Sequence, residues 1–129
     1  MNKTCPLSID QNSQLPYSVC VKLGDINYFS GTLPNIGNDK KLISIDVSEQ
    51  TRQIIAKMKK YLEECRLSLN DVFGVTIMLK SMDDYTVVNE IYAEAFKDVL
   101  IKPRRKTFGV AGLPFGALIE IEFEASPQE

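Results

Sequence analysis

The chain has 129 residues, a formal net charge of −2 and no histidine. This length suits one domain, residues 1–129, which would bury roughly two-thirds of the surface that its unfolded chain exposes. The absence of histidine excludes a Ser-His-Asp triad, a His-ligated zinc site and a histidine general base, and the acidic balance argues against a large phosphate-binding surface.

Patterns of apolar residues divide the chain into strand-like and helix-like segments. Alternation of apolar and polar residues predicts a strand, and recurrence at steps of three and four residues predicts a helix. In chain order, the predicted elements are strands at 18–23 and 26–32, a helix at 48–65, a strand at 72–79, a second helix along the apolar stripe 88–96, and strands at 106–111 and 117–125. This order, ββαβαββ, predicts an α+β fold in which two helices pack on one face of a sheet.

The connecting segments carry turn signals. Residues 1–16 are polar and turn-rich, and after the second strand Gly31, Pro34 and Gly37 break regular structure. A further short strand is a candidate at 42–45. We find no internal repeat, linker or low-complexity segment, which agrees with a single domain.

The last predicted strand has two chemically different faces. Ile119, Ile121 and Phe123 alternate along it with Glu120 and Glu122. If the helices cover the apolar set, the acidic set faces either solvent or another subunit. The sequence pattern alone leaves both possibilities open.

The basic run from Lys102 to Thr107 contains the first candidate for a functional residue, Arg105. An arginine suits a carboxylate ligand because its planar fork donates two parallel hydrogen bonds and keeps its proton at working pH. Glu120 could meet Arg105 across one β-ladder, and such a pair would suit a small carboxylate substrate and a water. The alternative is a solvated basic turn after Pro103.

The cysteines and the N-terminal residues bear on the cellular compartment. Cys5, Cys20 and Cys65 are widely spaced and form no Cys-x-x-Cys pair, so neither a disulfide framework nor a zinc ribbon is expected. Residues 1–6 lack the apolar core of a signal peptide, and no apolar run approaches the roughly 20 residues of a membrane span. We expect a cytoplasmic protein with no membrane segment.

Five segments occur in an order and spacing typical of one known family. They are Tyr28-Phe29-Ser30-Gly31-Thr32-Leu33-Pro34, Glu49-Gln50-Thr51-Arg52-Gln53, Val87-Val88-Asn89-Glu90-Ile91-Tyr92, Pro103-Arg104-Arg105-Lys106, and Leu113-Pro114 before Ile119-Glu120-Ile121-Glu122. Together they resemble the Rid family, the reactive-intermediate imine deaminases, also called the YjgF or L-PSP family. The resemblance spans nearly the whole chain. It implies a chorismate mutase-like fold and a homotrimer with active sites in the clefts between subunits.

The resemblance also assigns roles to residues. The arginine of the family's Pro-Ala-Arg-Ser motif holds the substrate carboxylate and corresponds to Arg105, while the glutamate of the final strand, which positions or activates water, corresponds to Glu120. Thr107 stands where many members have cysteine. The substrate-binding positions that the resemblance implies are Tyr17, Ser30, Gly31, Asn89 and Thr107.

The implied reaction is hydrolysis of reactive 2-imino acids, such as 2-iminobutanoate and 2-iminopropanoate, to 2-keto acids and ammonia. Their enamine tautomers, such as 2-aminoacrylate, arise from pyridoxal-phosphate dehydratases, which links this chain functionally to those enzymes. An imine already reacts with water, so positioning and general base assistance suffice. This implied reaction requires no metal and no cofactor.

Two other functions stay open on the sequence alone. A non-catalytic family member would use Arg105 to bind a 2-keto acid or another small carboxylate and would gain nothing from Glu120. An endoribonuclease-like activity would use the basic run 102–106 as a phosphate patch. The net negative charge and the absence of an RNA-binding aromatic motif argue against nucleic acid as the ligand.

Strand geometry makes a prediction about the two catalytic candidates. Thr107 opposite Glu120 in a hairpin would place Arg105 and Glu120 on one face, whereas Phe108 opposite Glu120 would separate them. The second register would bring Arg105 to the helix-covered side, where an unpaired charge is costly. We therefore predict the first register.

Besides Thr107, three positions depart from the Rid pattern. Arg104 replaces a small alanine, Lys106 replaces a serine, and Thr32 stands where glutamine is common. Strand alternation should turn Arg104 and Lys106 away from Arg105, toward a solvated rim or a second contact with substrate or an anionic partner.

Several of the implied pocket residues also have plain structural interpretations. Tyr17 is either a pocket residue or a buried aromatic with a satisfied hydroxyl, and Ser30 could simply close a turn. Asn89 sits in mid-helix, where asparagine is mildly unfavourable, so we expect it to make a specific hydrogen bond.

Overall fold

The computed structural model describes residues 1–36 and 40–128, so the predicted loop breaker Gly37 lies outside the described residues. In chain order, the elements are β1 (Lys3–Thr4), β2 (Cys20–Leu23), β3 (Ile26–Thr32), α1 (Val47–Glu64), β4 (Val72–Leu79), α2 (Tyr85–Ala95), β5 (Arg104–Gly109) and β6 (Ile119–Ala125). The strands of the described residues form one sheet in the order β1-β2-β3-β6-β4-β5. Only β4 and β5 pair in parallel, so the predicted α+β fold with a mostly antiparallel sheet is confirmed.

The predicted segments match these elements closely except at two places. β1 lies in the segment that the sequence marks as turn-rich, where Lys3 and Thr4 pair with Leu23 and Lys22 of β2. The candidate strand at 42–45 is reduced to one bridge, between Leu42 and Asn35. Segments this short carry too few alternating residues for a pattern to be recognised.

The core lies between the two helices and one face of the sheet. On β6, Ile119, Ile121 and Phe123 are fully buried, which confirms that the helices cover the apolar set of this strand. Ile54 and Met58 from the apolar stripe of α1 are also fully buried in the same cluster. Each such side chain stabilises the fold by roughly 1.5–3 kcal/mol. In the described part of the chain, neither helix has the length and apolar character needed to cross a membrane.

The pairing of β5 contradicts the predicted hairpin between the last two strands. β4 lies between β5 and β6, and its residue Met78 pairs with Phe108 on one side and with Glu120 on the other. Because directly paired residues share a face, Glu120 lies with Phe108 on the outer face, away from the helices. Arg105 pairs with Val75, which is buried under the helices. The predicted register is therefore wrong, and Arg105 and Glu120 lie on opposite faces of the sheet.

The physical reason for this arrangement lies in α2. The helix connects β4 to β5, and a strand–helix–strand unit in one sheet gives a parallel pair of neighbouring strands. β5 is polar and partly exposed along its length, which suits an edge position, whereas the apolar β6 is buried as a central strand. The expected cost of a charge on the helix side is avoided because α2 supplies partners for Arg105.

Candidate functional site

The guanidinium of Arg105 lies against one face of α2. Its Nη1 donates to Asn89 Oδ1 at 2.8 Å and its Nη2 donates to Tyr85 Oη at 2.8 Å. The guanidinium also lies over the ring of Tyr92, with Cζ 4.8 Å from the ring centroid. Tyr85, Asn89 and Tyr92 are four and three residues apart, so they project from the same side of the helix. The specific hydrogen bond expected of Asn89 is confirmed.

The charge of Arg105 has no carboxylate partner within the described part of the chain. The ion pairs there join Lys97 to Glu94 and Arg104 to Glu124. Asn89 and Tyr85 occupy two of the five N–H donors of the guanidinium, and both partners are neutral. Such a half-buried cation presents free donors and an uncompensated charge, which is the arrangement that receives an anion.

Two hydroxyl groups beside Arg105 also lack partners among the described residues. Thr107 Oγ1 and Tyr92 Oη are both buried without a hydrogen bond. Burial raises the pKa of Tyr92 to about 12, although the nearby Arg105 lowers it, so the phenol stays protonated at neutral pH. Unpartnered buried polar atoms are rare in native proteins, and a cluster of them beside a cation indicates a place for a polar ligand.

Glu120 lies on the outer face, against the backbone of β3. The pairing of β3 with β6 is irregular between Phe29 and Thr32, and Gly31 lies within this irregular stretch. A Cβ added to Gly31 would stand only 1.9 Å from Glu120 Oε2. Any side chain at this position would therefore force the carboxylate, the end of a flexible side chain, to move.

The environment of Glu120 also changes its acidity. Burial raises the pKa of this carboxyl group, and the neighbouring Glu122 carboxylate raises it further. A carboxylate with a raised pKa is a better proton acceptor near neutral pH than an ordinary glutamate. Glu120 thus has the chemistry expected of a general base.

A cavity of about 500 Å³ lies at the end of β3, and three of the predicted substrate-binding residues line it: Tyr17, Ser30 and Gly31. Tyr17 is 53% exposed, which contradicts the alternative of a buried aromatic within this chain. Ser30 has a structural contact as well, because its Oγ donates to the carbonyl oxygen of Ser18 at 2.6 Å. Through Gly31, the cavity adjoins the carboxylate of Glu120.

The predicted site residues therefore form two separate groups. Arg105, Asn89 and Thr107 lie together at the edge of the helix layer, whereas Glu120 and the cavity residues lie near the outer face and the end of β3. A small substrate cannot contact both groups within one chain, because the sheet separates them.

Comparisons with known proteins agree with this fold and these segments. A family model described as Endoribonuclease L-PSP matches residues 9–126. The chain belongs to this family, the Rid family. A RutC family protein of Pyrococcus horikoshii is 40% identical over 107 residues, which cover 83% of each chain. A 2-iminobutanoate/2-iminopropanoate deaminase of Dermatophagoides farinae is 30% identical over 107 residues, covering 83% of this chain and 82% of the relative. The crystal structure of the Rid family protein YyfA of Yersinia pestis superposes with a TM-score of 0.89 at 31% identity, covering 98% of this chain and 100% of that one.

The positions at which this chain departs from the Rid pattern are also located. Arg104 projects to the outer face, where its Nη2 lies 2.9 Å from Glu124 Oε1. Lys106 is exposed on that same face, so both side chains point away from Arg105 as expected. Thr32 is buried and lines the cavity at the end of β3.

The two tyrosines that contact Arg105 were not predicted from the sequence. The Rid segments drew attention to Asn89, but Tyr85 and Tyr92 hold the guanidinium as closely. Their spacing on α2 was a usable signal, since residues at i, i+4 and i+7 share one helix face. Lys57 on α1 and Phe115 before β6 were also missed, and both line the cavity.

Proposed function

We propose that this chain is a homotrimeric 2-imino acid deaminase that converts 2-iminobutanoate and 2-iminopropanoate to 2-keto acids and ammonia. The observation that carries the proposal is Arg105, a half-buried cation whose described partners are all neutral. Its unused donors fit the carboxylate that every 2-imino acid bears. The deaminase name of the Dermatophagoides relative supports the same reaction.

The separation of the two residue groups favours a site shared between subunits. Arg105 lies at the helix layer and Glu120 on the outer face, so one copy of the chain cannot bring both residues to one substrate. In the proposed trimer, the outer face of one subunit meets the edge of the next. Arg105 with Thr107 of one subunit then faces Glu120 with Gly31 of its neighbour. This arrangement also covers Tyr28 and Phe108, which are 46% and 44% exposed.

The chemistry follows from these groups. Arg105 binds the substrate carboxylate and fixes the position of C2. Glu120 accepts a proton from a water whose oxygen attacks C2 of the C=N bond, and it returns this proton to the nitrogen as the carbinolamine forms. Glu120 then transfers the hydroxyl proton of the carbinolamine to the same nitrogen. The C–N bond breaks, ammonia leaves, and the C=O bond of the 2-keto acid forms. Positioning and general base assistance are the two sources of acceleration.

The directions of the basic side chains argue against an endoribonuclease-like activity. Arg105 turns into the helix layer, while Arg104 lies on the other side of β5 and pairs with Glu124. The basic run therefore does not form one continuous phosphate-binding patch. A non-catalytic protein that binds 2-keto acids would use Arg105 in the same way. It would differ from the proposed deaminase only in the role of Glu120.

The proposal is tested by following keto acid release from 2-aminoacrylate, generated in situ by a serine dehydratase. Wild type should accelerate release over the spontaneous rate, and Arg105→Ala should abolish the acceleration. Glu120→Gln should reduce it by about 10²–10⁴-fold if the carboxylate acts as general base. Arg52→Ala, an exposed arginine of α1, is the matched control and should behave as wild type. No acceleration by folded wild type would contradict the proposed deaminase function. Full activity of Glu120→Gln would contradict the role of Glu120 as general base.

A further inference from the structure

The cavity at the end of β3 extends beyond the proposed reaction site. Gly31 and Thr32 both line it, at the irregular stretch where the pairing of β3 with β6 shifts. Gly31 carries the contact with Glu120, whereas Thr32 pairs with the buried Ile121 on the helix side. The cavity lies between β3 and α1, where Lys57 lines it, and Gly31, which lies beside the carboxylate of Glu120, forms part of its wall.

The inner part of this cavity holds a buried hydroxyl group without a partner. Thr32 is only 5% exposed, and its Oγ1 has no hydrogen bond within the described residues. An unsatisfied buried hydroxyl is unfavourable, so a ligand acceptor that reached it would gain a hydrogen bond.

Lys57 adds a cation to the same part of the cavity. Its Nζ donates to the carbonyl oxygen of Leu33 at 2.7 Å and to Asn35 Oδ1 at 2.8 Å, both uncharged acceptors. An ammonium group has three donors, which leaves one for a ligand. Burial lowers the pKa of Lys57 to about 8, so the amine is still mainly protonated at neutral pH. Among the ion pairs of residues 1–36 and 40–128, none involves Lys57.

Exposed apolar side chains line part of the cavity, beside the polar residues 11–14. Leu15, Tyr17 and Phe115 line it and are 48%, 53% and 46% exposed. Phe115 adopts φ 62°, a left-handed conformation that is rare for a bulky residue, beside Gly116 at φ 74°. A ligand chain would pass these apolar side chains before its end meets Lys57 and Thr32.

We propose that this cavity is a specificity subsite that binds the second carboxylate of imino-dicarboxylates, with Lys57 Nζ and Thr32 Oγ1 as its donors. The inference rests on the proposed deaminase function and names its preferred substrate class. An apolar substrate side chain would leave both the ammonium and the hydroxyl without a partner. An ω-carboxylate accepts a hydrogen bond from each and compensates the charge of Lys57.

The test compares deamination of 2-iminoglutarate with that of 2-iminohexanoate, an apolar imine of similar length. Both imines are generated in situ by amino-acid oxidases in the presence of catalase, and kcat/KM is measured for each. Wild type should prefer the dicarboxylate. Lys57→Met should lower the ratio of the two kcat/KM values by about 10-fold or more, since a hydrogen bond to a charged group is worth that much. Lys60→Met, an exposed lysine of α1, should leave the ratio unchanged.

Two further variants separate the charge of Lys57 from its contact with the loop. Lys57→Gln keeps a donor for Leu33 but removes the charge, so it should lower the ratio as Lys57→Met does while preserving the fold. Thr32→Val is close to isosteric and removes only the hydroxyl, so it should lower the ratio several-fold. An unchanged ratio in folded Lys57→Gln and Thr32→Val would overturn the subsite.

Failure of the subsite is distinguishable from failure of the deaminase proposal. If wild type accelerates hydrolysis of 2-iminobutanoate without favouring 2-iminoglutarate, the subsite is wrong and the deaminase stands. If no imine is accelerated, calorimetry with 2-oxoglutarate and 2-oxohexanoate decides. Tighter binding of 2-oxoglutarate that disappears in Lys57→Gln supports the subsite, and equal binding of both keto acids overturns it.

Discussion

Gly31 lies beside the carboxylate of Glu120, where an added Cβ would stand 1.9 Å from Oε2. The Gly31→Ala change should therefore displace Glu120 and reduce deamination by about 10²-fold, the cost of misplacing a catalytic group. The measurement is keto acid release, together with thermal unfolding to show that the variant folds. Gly112→Ala is the matched control, because an added Cβ there meets nothing within 4 Å. Equal activity of the two alanine variants would contradict the contact.

Lys57 should give the stability of the protein a distinctive pH dependence. Its pKa is lowered by burial from 10.5 to about 8, so between these values the unfolded chain binds more protons than the folded one. Stability then rises with pH in this window, relative to a variant that lacks the amine. Below about pH 8 both states hold the proton, and this contribution no longer changes.

The measurement is the urea midpoint of wild type minus that of Lys57→Met, at several pH values from 7 to below 10. The difference should shift in favour of wild type as the pH rises. Tyr61 lines the same cavity, and burial raises its pKa, but its titration is present in both proteins and cancels. Lys60→Met, which removes an exposed lysine of the same helix, is the matched control. A flat difference for Lys57→Met would show that its amine is not desolvated.

Individual residues differ in how far the sequence alone could locate them. The hydrogen bond of Asn89 was predictable, because an asparagine in mid-helix needs a reason to be there. Lys57 was not predictable, since a lysine on a helix is normally solvated. Its burial depends on residues 33–35 lying over it, a long-range contact that no local pattern encodes.

Gln50 joins two elements, the start of α1 and the start of β6. Its fully buried amide donates to the carbonyl oxygen of Ser44 at 2.7 Å and accepts from Leu118 N at 2.9 Å. Gln50→Leu would leave both backbone groups without these partners, so the free energy of unfolding should fall by about 1–3 kcal/mol. Chemical denaturation measures this change. Gln53→Leu on the same helix should cost less than half as much, and equal losses would contradict the bridging role.

The elements themselves were predictable, but part of their pairing was not. Strong alternation located β4 and β6, and the apolar stripe located α1, because these patterns are local. The hairpin expected between β5 and β6 failed because strand order depends on contacts distant in sequence. The connection through α2 was the available clue, since a strand–helix–strand unit favours a parallel pair. Applied to β4 and β5, it would have placed Arg105 correctly.

The outer face of the sheet should form the subunit interface of the proposed trimer. Thr76 lies near its centre, paired with Lys106 on one side and Glu122 on the other. Thr76→Arg would place a long charged side chain there, so the trimer should dissociate and activity should fall by more than about 10-fold. Analytical ultracentrifugation measures the assembly. Glu63→Arg inserts the same side chain at an exposed position of α1 and should leave the trimer intact.

The assembly could not be derived from local sequence patterns. The acidic residues of β6 suit both a solvated face and a subunit contact, and only the positions of the two site groups distinguish these possibilities. Because Arg105 and Glu120 lie on opposite faces of one sheet, the proposed site, which uses both residues, needs a second copy of the chain.

A site shared between subunits is tested most directly by the deaminase activity of mixed trimers. Arg105→Ala and Glu120→Gln chains are unfolded together in equal amounts, refolded, and assayed for keto acid release from 2-aminoacrylate beside each variant refolded alone. If each site takes Arg105 from one subunit and Glu120 from the next around a closed ring, about a quarter of the sites regain both residues. We predict recovery to about that fraction of wild-type activity. A mixture that stays as inactive as its separate components would contradict a site shared between subunits.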